Sequence, residues 1–253
     1  MDFTKTPDFI IIGAQKSGTS TLFHYLNKHP EIFMPWRKEL HFFDENYSKG
    51  LDWYLHFFNK KKAICCSCAG EASPYYFFHP LVASRIYDAF PEIKLILLLR
   101  NPVNRSYSQY HHMKRKGRIS LSFEHCIHLE QEIMKGRKDA FFKNSMHSDL
   151  MFRRFSFLAR SRYAEQLMEW YKLFGREQIL IIKSEDYFRD SQAICQQIFQ
   201  FLGLPAFTIP LKSTHKSSEY PPMKPETRQQ LQSYFEPFNQ ELNQLVGRDF
   251  GWQ

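Results

Sequence analysis

A chain of 253 residues, 43% of them hydrophobic and with 25 Phe and 13 Tyr, can bury the core of one large α/β domain and is too apolar to stay disordered. Its formal charge of +8 favours anionic partners such as nucleotides, sulfated glycans, nucleic acid or acidic lipid, beside plain solubility. Five cysteines, three crowded at Cys65, Cys66 and Cys68 and two apart at Cys126 and Cys195, speak against a disulfide framework and lack the second ligand pair of a zinc finger.

Residues 1–7 are polar, with no signal-peptide core, and no apolar run approaches the ~18 residues of a membrane span. A soluble, cytoplasmic protein is expected; the alternative is the Golgi lumen, if the chain is a trimmed lumenal domain. Residues 8–13 hold Phe9, Ile10, Ile11 and Ile12, an apolar run closed by glycine, which predicts a buried parallel strand. Residues 19–28 set Leu22, Phe23 and Leu26 at helical spacing behind a Thr19 or Ser20 cap, and His29-Pro30 ends that helix. A loop follows at Lys38-Glu39-Leu40-His41-Phe42-Phe43-Asp44. Residues 51–58 predict a short helix, 70–74 a break, and 80–90 a helix opened by proline. Residues 94–99 form the second strand, with Arg100 at its end, and 103–116 a helix. Residues 122–174 are mostly helical in pattern, broken by polar stretches. A third strand at 179–183 precedes a helix at 191–202 that stops at Gly203 and Pro205. A polar loop covers 212–222, and 225–246 is the closing helix. With no repeat and no linker, this alternation predicts a single domain over 1–253. It is an α/β, P-loop-like parallel sheet flanked by helices on both faces.

Gly13-Ala14-Gln15-Lys16-Ser17-Gly18-Thr19-Ser20 lies between the first strand and the first helix. Backbone N–H groups at a helix start, with the helix dipole, suit a phosphate, and Thr19 and Ser20 add hydroxyl donors. A Walker A loop has Lys directly after its second glycine; here Thr19 stands there and the lysine is Lys16. The loop suits a single 5′-phosphate with a group beyond it.

Taken in order, five segments resemble the sulfotransferases that use 3′-phosphoadenosine 5′-phosphosulfate (PAPS). They are Ile10 to Thr19, Lys38 to Asp44, Gly70-Glu71-Ala72-Ser73-Pro74-Tyr75-Tyr76, Leu99 to Tyr110, and Leu245 to Trp252. The likeness is greatest to the carbohydrate branch with the heparan sulfate N- and 3-O-sulfotransferase domains and related bacterial enzymes. The resemblance implies that Lys16, Ser17, Gly18, Thr19 and Ser20 hold the 5′-phosphosulfate, and that Arg100 and Ser108 hold the 3′-phosphate. It implies Tyr163 near the nucleotide and Lys216, Ser217 and Ser218 in a loop closing over PAPS. Glu39 falls where the family's catalytic base lies, with His41 and Asp44 beside it. This chain has Ala72 where some relatives have lysine, and Lys216-Ser217-Ser218 where others have Lys-Gly-Arg.

Sulfuryl transfer, like phosphoryl transfer, asks for alignment and for charge stabilisation on the leaving group. Lys16 is expected to neutralise the leaving phosphate and Glu39 to take the acceptor proton, its basicity raised by a dry wall of neighbouring aromatics. His41 is expected to orient Glu39 or bind acceptor. The expected partners are PAPS and a saccharide or other hydroxyl-bearing acceptor, with no metal, no nucleic acid and no membrane span. Two other classes stay open at this point: a P-loop kinase or NTPase, and a non-catalytic nucleotide-binding module.

Overall fold

The computed structural model describes residues 5–59, 61–134, 155–210 and 220–252. They form two compact units: Met1–Leu99 with Glu169–His215, and Arg100–Met168 with Lys216–Gln253.

The first unit holds the whole described sheet. Its strands are β1 (Phe9–Gly13), β2 (Ile32–Phe33), β3 (Cys68–Ala72), β4 (Lys94–Leu99) and β5 (Ile179–Lys183). They run in the order β2-β3-β1-β4-β5, and every pairing is parallel. β1 and β3 are buried along their whole length, as strands covered on both faces must be. Between the strands run α1 (Thr19–Leu26), α2 (Leu51–Leu55), α3 (Lys61–Cys65) and α4 (Val82–Ala89). Leu22, Phe23 and Leu26 of α1 join Phe9, Ile11, Ile96 and Ile198 in one buried cluster, so the helical spacing seen in the sequence is the face that meets the sheet.

The predicted break at 70–74 is instead the end of β3. Gly70 pairs with Phe9 of β1, and a Cβ on Gly70 would lie 2.4 Å from the Phe9 ring. The glycine makes room for a neighbouring ring inside the sheet and marks no turn. Three more elements were not anticipated: the two-residue edge strand β2, the short helix α3, and a short helix at Ser184–Arg189 directly after β5.

The second unit carries α5 (Pro102–Arg115), α6 (Phe123–Met134), most of α7 (Tyr163–Tyr171) and, past Ser184–Arg189 (α8) and Ser191–Leu202 (α9) of the first unit, α10 (Pro225–Val246). Val103, Tyr110, Phe123, Phe157, Leu231 and Phe235 belong to its core. Two buried charges brace that core. Arg105, fully buried, donates to Ser161 Oγ at 2.5 Å, to Gln109 Oε1 at 2.8 Å and to the Phe157 carbonyl. Glu130 accepts the N–H groups of Phe157, Leu158 and Ala159, each at 2.8 Å. Burial pushes the Glu130 carboxyl up to about 7, although those N–H groups and Arg105 pull the other way. Among the described residues, no helix is long and apolar enough to cross a membrane.

Candidate active site

β1 leads through residues 14–18 into α1. Gly18 is the N-cap, with φ 99°, a conformation that favours glycine; a Cβ there would also sit 2.8 Å from the Phe188 ring. The loop is tied down from within: Ala14 N–H donates to Leu98 O at 2.8 Å, Ser17 N–H to Ala14 O at 3.2 Å, and Ser184 Oγ to Ser17 O at 2.9 Å. Lys16 is half-buried at φ 71°, Thr19 is buried and Ser20 exposed. The first-turn N–H groups of α1 have no intrahelical acceptor, which leaves the positive end of the helix open to an anion. Ser17 is fully buried and its Oγ has no partner among the described residues. A phosphate oxygen is the kind of acceptor that such a hydroxyl lacks.

The second cluster lies in the turn after β2, against the carboxyl end of β3. Lys38 Nζ meets Glu39 Oε1 at 2.5 Å, His41 Nε2 lies 3.4 Å from Glu39 Oε2, and His41 Nδ1 lies 2.7 Å from Asp44 Oδ2. The Asp44 side chain is fully covered, while that of Glu39 is 40% exposed. His41 is therefore held between a buried carboxylate and a half-open one. Glu39 and His41 have φ 62° and 52°. With Lys16 they are the non-glycine residues at positive φ among the described residues, and all three are residues that the sequence marked for chemistry.

Burial works to raise the Glu39 pKa, but the His41 hydrogen bond and the Lys38 charge outweigh it and hold the carboxyl at about 2. That overturns the expectation of a raised pKa. Phe42 and Phe43, expected to wall the site, are themselves buried, with Phe42 stacked on Tyr54 at 4.8 Å and Phe43 edge-on to Tyr76 at 5.8 Å. They anchor the turn in the core and leave the carboxylate wet. For His41, burial works to lower the pKa, yet the hydrogen bonds to Asp44 and Glu39 and their charges lift it to about 10. At neutral pH it is an imidazolium that donates from both nitrogens. Ligand atoms of His41, Asp44 and Glu45 lie within 4.8 Å of one another, a spacing open to a cation. A metal there would have to displace the His41 proton that Asp44 now accepts.

The second unit carries Arg100, Ser108 and Tyr163. Asn101 caps α5 by accepting Asn104 N–H at 3.1 Å, and Pro102 opens it. Ser108 is buried on that helix, and Arg100 is half-buried just before it. Tyr163 is buried, and its hydroxyl donates to the Arg100 carbonyl at 2.8 Å. That bond ties it to the backbone that carries Arg100, and its ring lies 5.9 Å from that of Trp252. Lys216, Ser217 and Ser218 lie outside the described residues. Sequence reasoning missed the supports of the Glu39 turn, Ser73 and Tyr76. Their signal was present, since both stand in the Gly70–Tyr76 segment that carries part of the resemblance, but residues 70–74 read as a break and no role was attached to either.

The family of sulfotransferase domains matches residues 6–247. The membrane-associated sulfotransferase kil1 of Dictyostelium discoideum is 31% identical over 98% of this chain, which spans 66% of that protein's length. Heparan sulfate glucosamine 3-O-sulfotransferase 5 of Mus musculus is 29% identical over 97% of this chain and 74% of its own length. The solved structure of a sulfotransferase from Alicyclobacillus acidocaldarius superposes with a TM-score of 0.80 at 32% identity, over 97% of this chain and 98% of that one. Fold, glycine loop and sequence thus agree, and the chain belongs to the sulfotransferase family, the enzymes that move a sulfuryl group from PAPS to an acceptor.

Proposed function

We propose that this enzyme transfers the sulfuryl group of PAPS to a hydroxyl, or an amine, of a saccharide, with residues 1–253 acting as one catalytic domain. The observation that carries the reading is the Asp44–His41–Glu39 chain of contacts, which presents an ionised, half-exposed carboxylate at the carboxyl end of the sheet. Ligands of open parallel sheets bind at that end. The relatives named for heparan sulfate support a saccharide acceptor.

In this mechanism Glu39 accepts the proton of the acceptor as its oxygen or nitrogen bonds to sulfur. The bond from sulfur to the leaving phosphate oxygen breaks in line, and adenosine 3′,5′-bisphosphate departs. Lys16, Thr19, Ser20 and the α1 N–H groups offset charge on the leaving phosphate, with Ser17 Oγ and Gly18 completing the loop. Arg100 and Ser108 take the 3′-phosphate, Tyr163 fixes the Arg100 backbone, and Lys216, Ser217 and Ser218 close over the nucleotide. Glu39 at about 2 is always ionised but weakly basic. Drawing Lys38 onto an anionic acceptor removes one of the cations that hold it low, and so strengthens the base where the acceptor sits.

Screening saccharides, lipids, peptides and small alcohols with radiolabelled PAPS tests the acceptor. Transfer to saccharides is expected, and transfer to the other classes alone would overturn that part of the reading. Calorimetry tests the nucleotide site: adenosine 3′,5′-bisphosphate should bind far more tightly than AMP or ATP. Arg100→Ala should weaken the bisphosphate by about 1.5–3 kcal/mol and leave AMP nearly unaffected. Equal affinity for AMP and the bisphosphate in the parent protein would remove the 3′-phosphate assignment.

The reaction proposed needs no metal, because no triphosphate is bridged and His41 is engaged as a donor. Turnover should survive EDTA in full. A strict magnesium requirement would instead favour kinase-like chemistry.

A further inference from the structure

Beneath the Glu39 turn lies a carboxylate with no part in the mechanism so far. Glu71, at the end of β3, is 1% exposed and cannot touch an acceptor. Ser73 Oγ donates to its Oε2 at 2.8 Å, and the Tyr54 hydroxyl approaches Oε1 at 3.5 Å. The Ser73 hydroxyl, having given its proton to Glu71, offers its oxygen upward, and the Tyr76 hydroxyl beside it does the same. Ser73 Oγ accepts the His41 N–H at 3.3 Å, and the Tyr76 oxygen accepts the N–H groups of Phe42 at 2.8 Å and Phe43 at 3.3 Å. Glu39 N–H is taken by the Ala72 carbonyl at 3.0 Å. Four N–H groups of residues 39–43 thus end on the last residue of β3 and the turn after it, three of them on hydroxyls, and the one that takes the His41 N–H is oriented by Glu71.

A turn with two non-glycine residues at positive φ relaxes unless its surroundings hold it. We propose that Glu71, acting through the hydroxyl of Ser73, is the positioning residue that holds Glu39 and His41 in their reactive conformation. A hydroxyl that donates to a carboxylate is fixed in direction and made a better acceptor; one that donates to a neutral partner is neither. The ionised form of Glu71 is the one that orders the turn.

Burial pushes the Glu71 carboxyl up to about 7, against the Ser73 hydrogen bond, the neighbouring Tyr76 hydroxyl and the His41 charge, with Asp44 adding to the rise. The groups that face it are Tyr54 from α2, Ser73 and Tyr76 from its own segment, and His41 and Asp44 from the turn. Both tyrosines are pushed well above their usual range and stay neutral, and His41 stays charged up to about 10. Glu71 is then the group of this cluster that changes charge near neutrality, and kcat should rise with pH through about 7 as it ionises.

The inference rests on Glu39 as the base, and the test separates the two. With a saccharide acceptor and PAPS, pH profiles of kcat are measured for the parent, Glu71→Gln and Ser73→Ala, and Glu39→Gln is assayed beside them. Calorimetric binding of adenosine 3′,5′-bisphosphate reports that each variant is folded. Glu71→Gln should bind the bisphosphate as the parent does, lose about tenfold in kcat, and lose the acid limb near pH 7. Ser73→Ala should lower kcat in the same sense with less effect on KM, and it decides the matter if Glu71→Gln does not fold. Parent-like kcat with the limb intact in Glu71→Gln, or in Ser73→Ala if that variant alone folds, overturns the positioning role even if Glu39→Gln is inactive. An active Glu39→Gln instead removes the base assignment itself.

Discussion

Glu39→Gln should cut kcat by about 10²-fold or more while the affinity for adenosine 3′,5′-bisphosphate stays nearly unchanged. The substitution keeps the shape of the side chain and one acceptor oxygen for His41, so the turn has little reason to move. What it removes is the ionised oxygen that takes the acceptor proton. The low pKa sharpens the expectation: an ionised carboxylate held by Lys38 and His41 is fully available across the working pH range. Loss of activity in the variant then reports the missing base and no shift in protonation. Single-turnover assays with labelled PAPS, run beside calorimetry, give both quantities. Near-normal turnover would send the search for the base elsewhere. His41 would be a poor successor, since its pKa of about 10 leaves it protonated, and Glu71 is buried.

Lys16→Ala should behave differently and lose both affinity and rate. A cation placed on the leaving phosphate acts on the bound nucleotide, and more strongly as negative charge builds on the departing oxygen. We expect bisphosphate binding to weaken by about 1.5–3 kcal/mol, as for a lost charge-assisted contact, and kcat to fall by about 10²–10³-fold beyond that. The split decides the role. A loss confined to KM would make Lys16 a docking charge only. A loss confined to kcat would mean that it meets the nucleotide only at the transition state.

The parallel sheet was legible because buried strands such as Phe9–Gly13 and Lys94–Leu99 announce themselves as apolar runs, and because glycine and proline punctuate the helices. β3 was hidden for a physical reason. Cys-Ala-Gly-Glu-Ala has neither branched side chains nor alternation, and its glycine answers to the Phe9 ring on the next strand, a contact that sequence spacing does not display. The candidate site was read through the resemblance more than through local pattern. Lys16, Glu39 and His41 stand out in the structure by their backbone angles, which no composition rule reveals. The pKa of Glu39 was misjudged because adjacent aromatics were taken to dry it. Whether a neighbour in sequence shields a charge depends on which way it points, and Phe42 and Phe43 point inward.

The left-handed residues also bear on how such an enzyme can be improved. A non-glycine residue at positive φ costs of order 1–3 kcal/mol, and glycine there would relax most of it. The turn at Glu39 and His41 is therefore a place where heat tolerance and turnover pull in opposite directions. A library of variants selected for survival at high temperature would drift toward glycine at both positions and collect robust, inactive proteins. Selection for product formation would hold the strained residues in place and seek its gains in stability elsewhere in the chain.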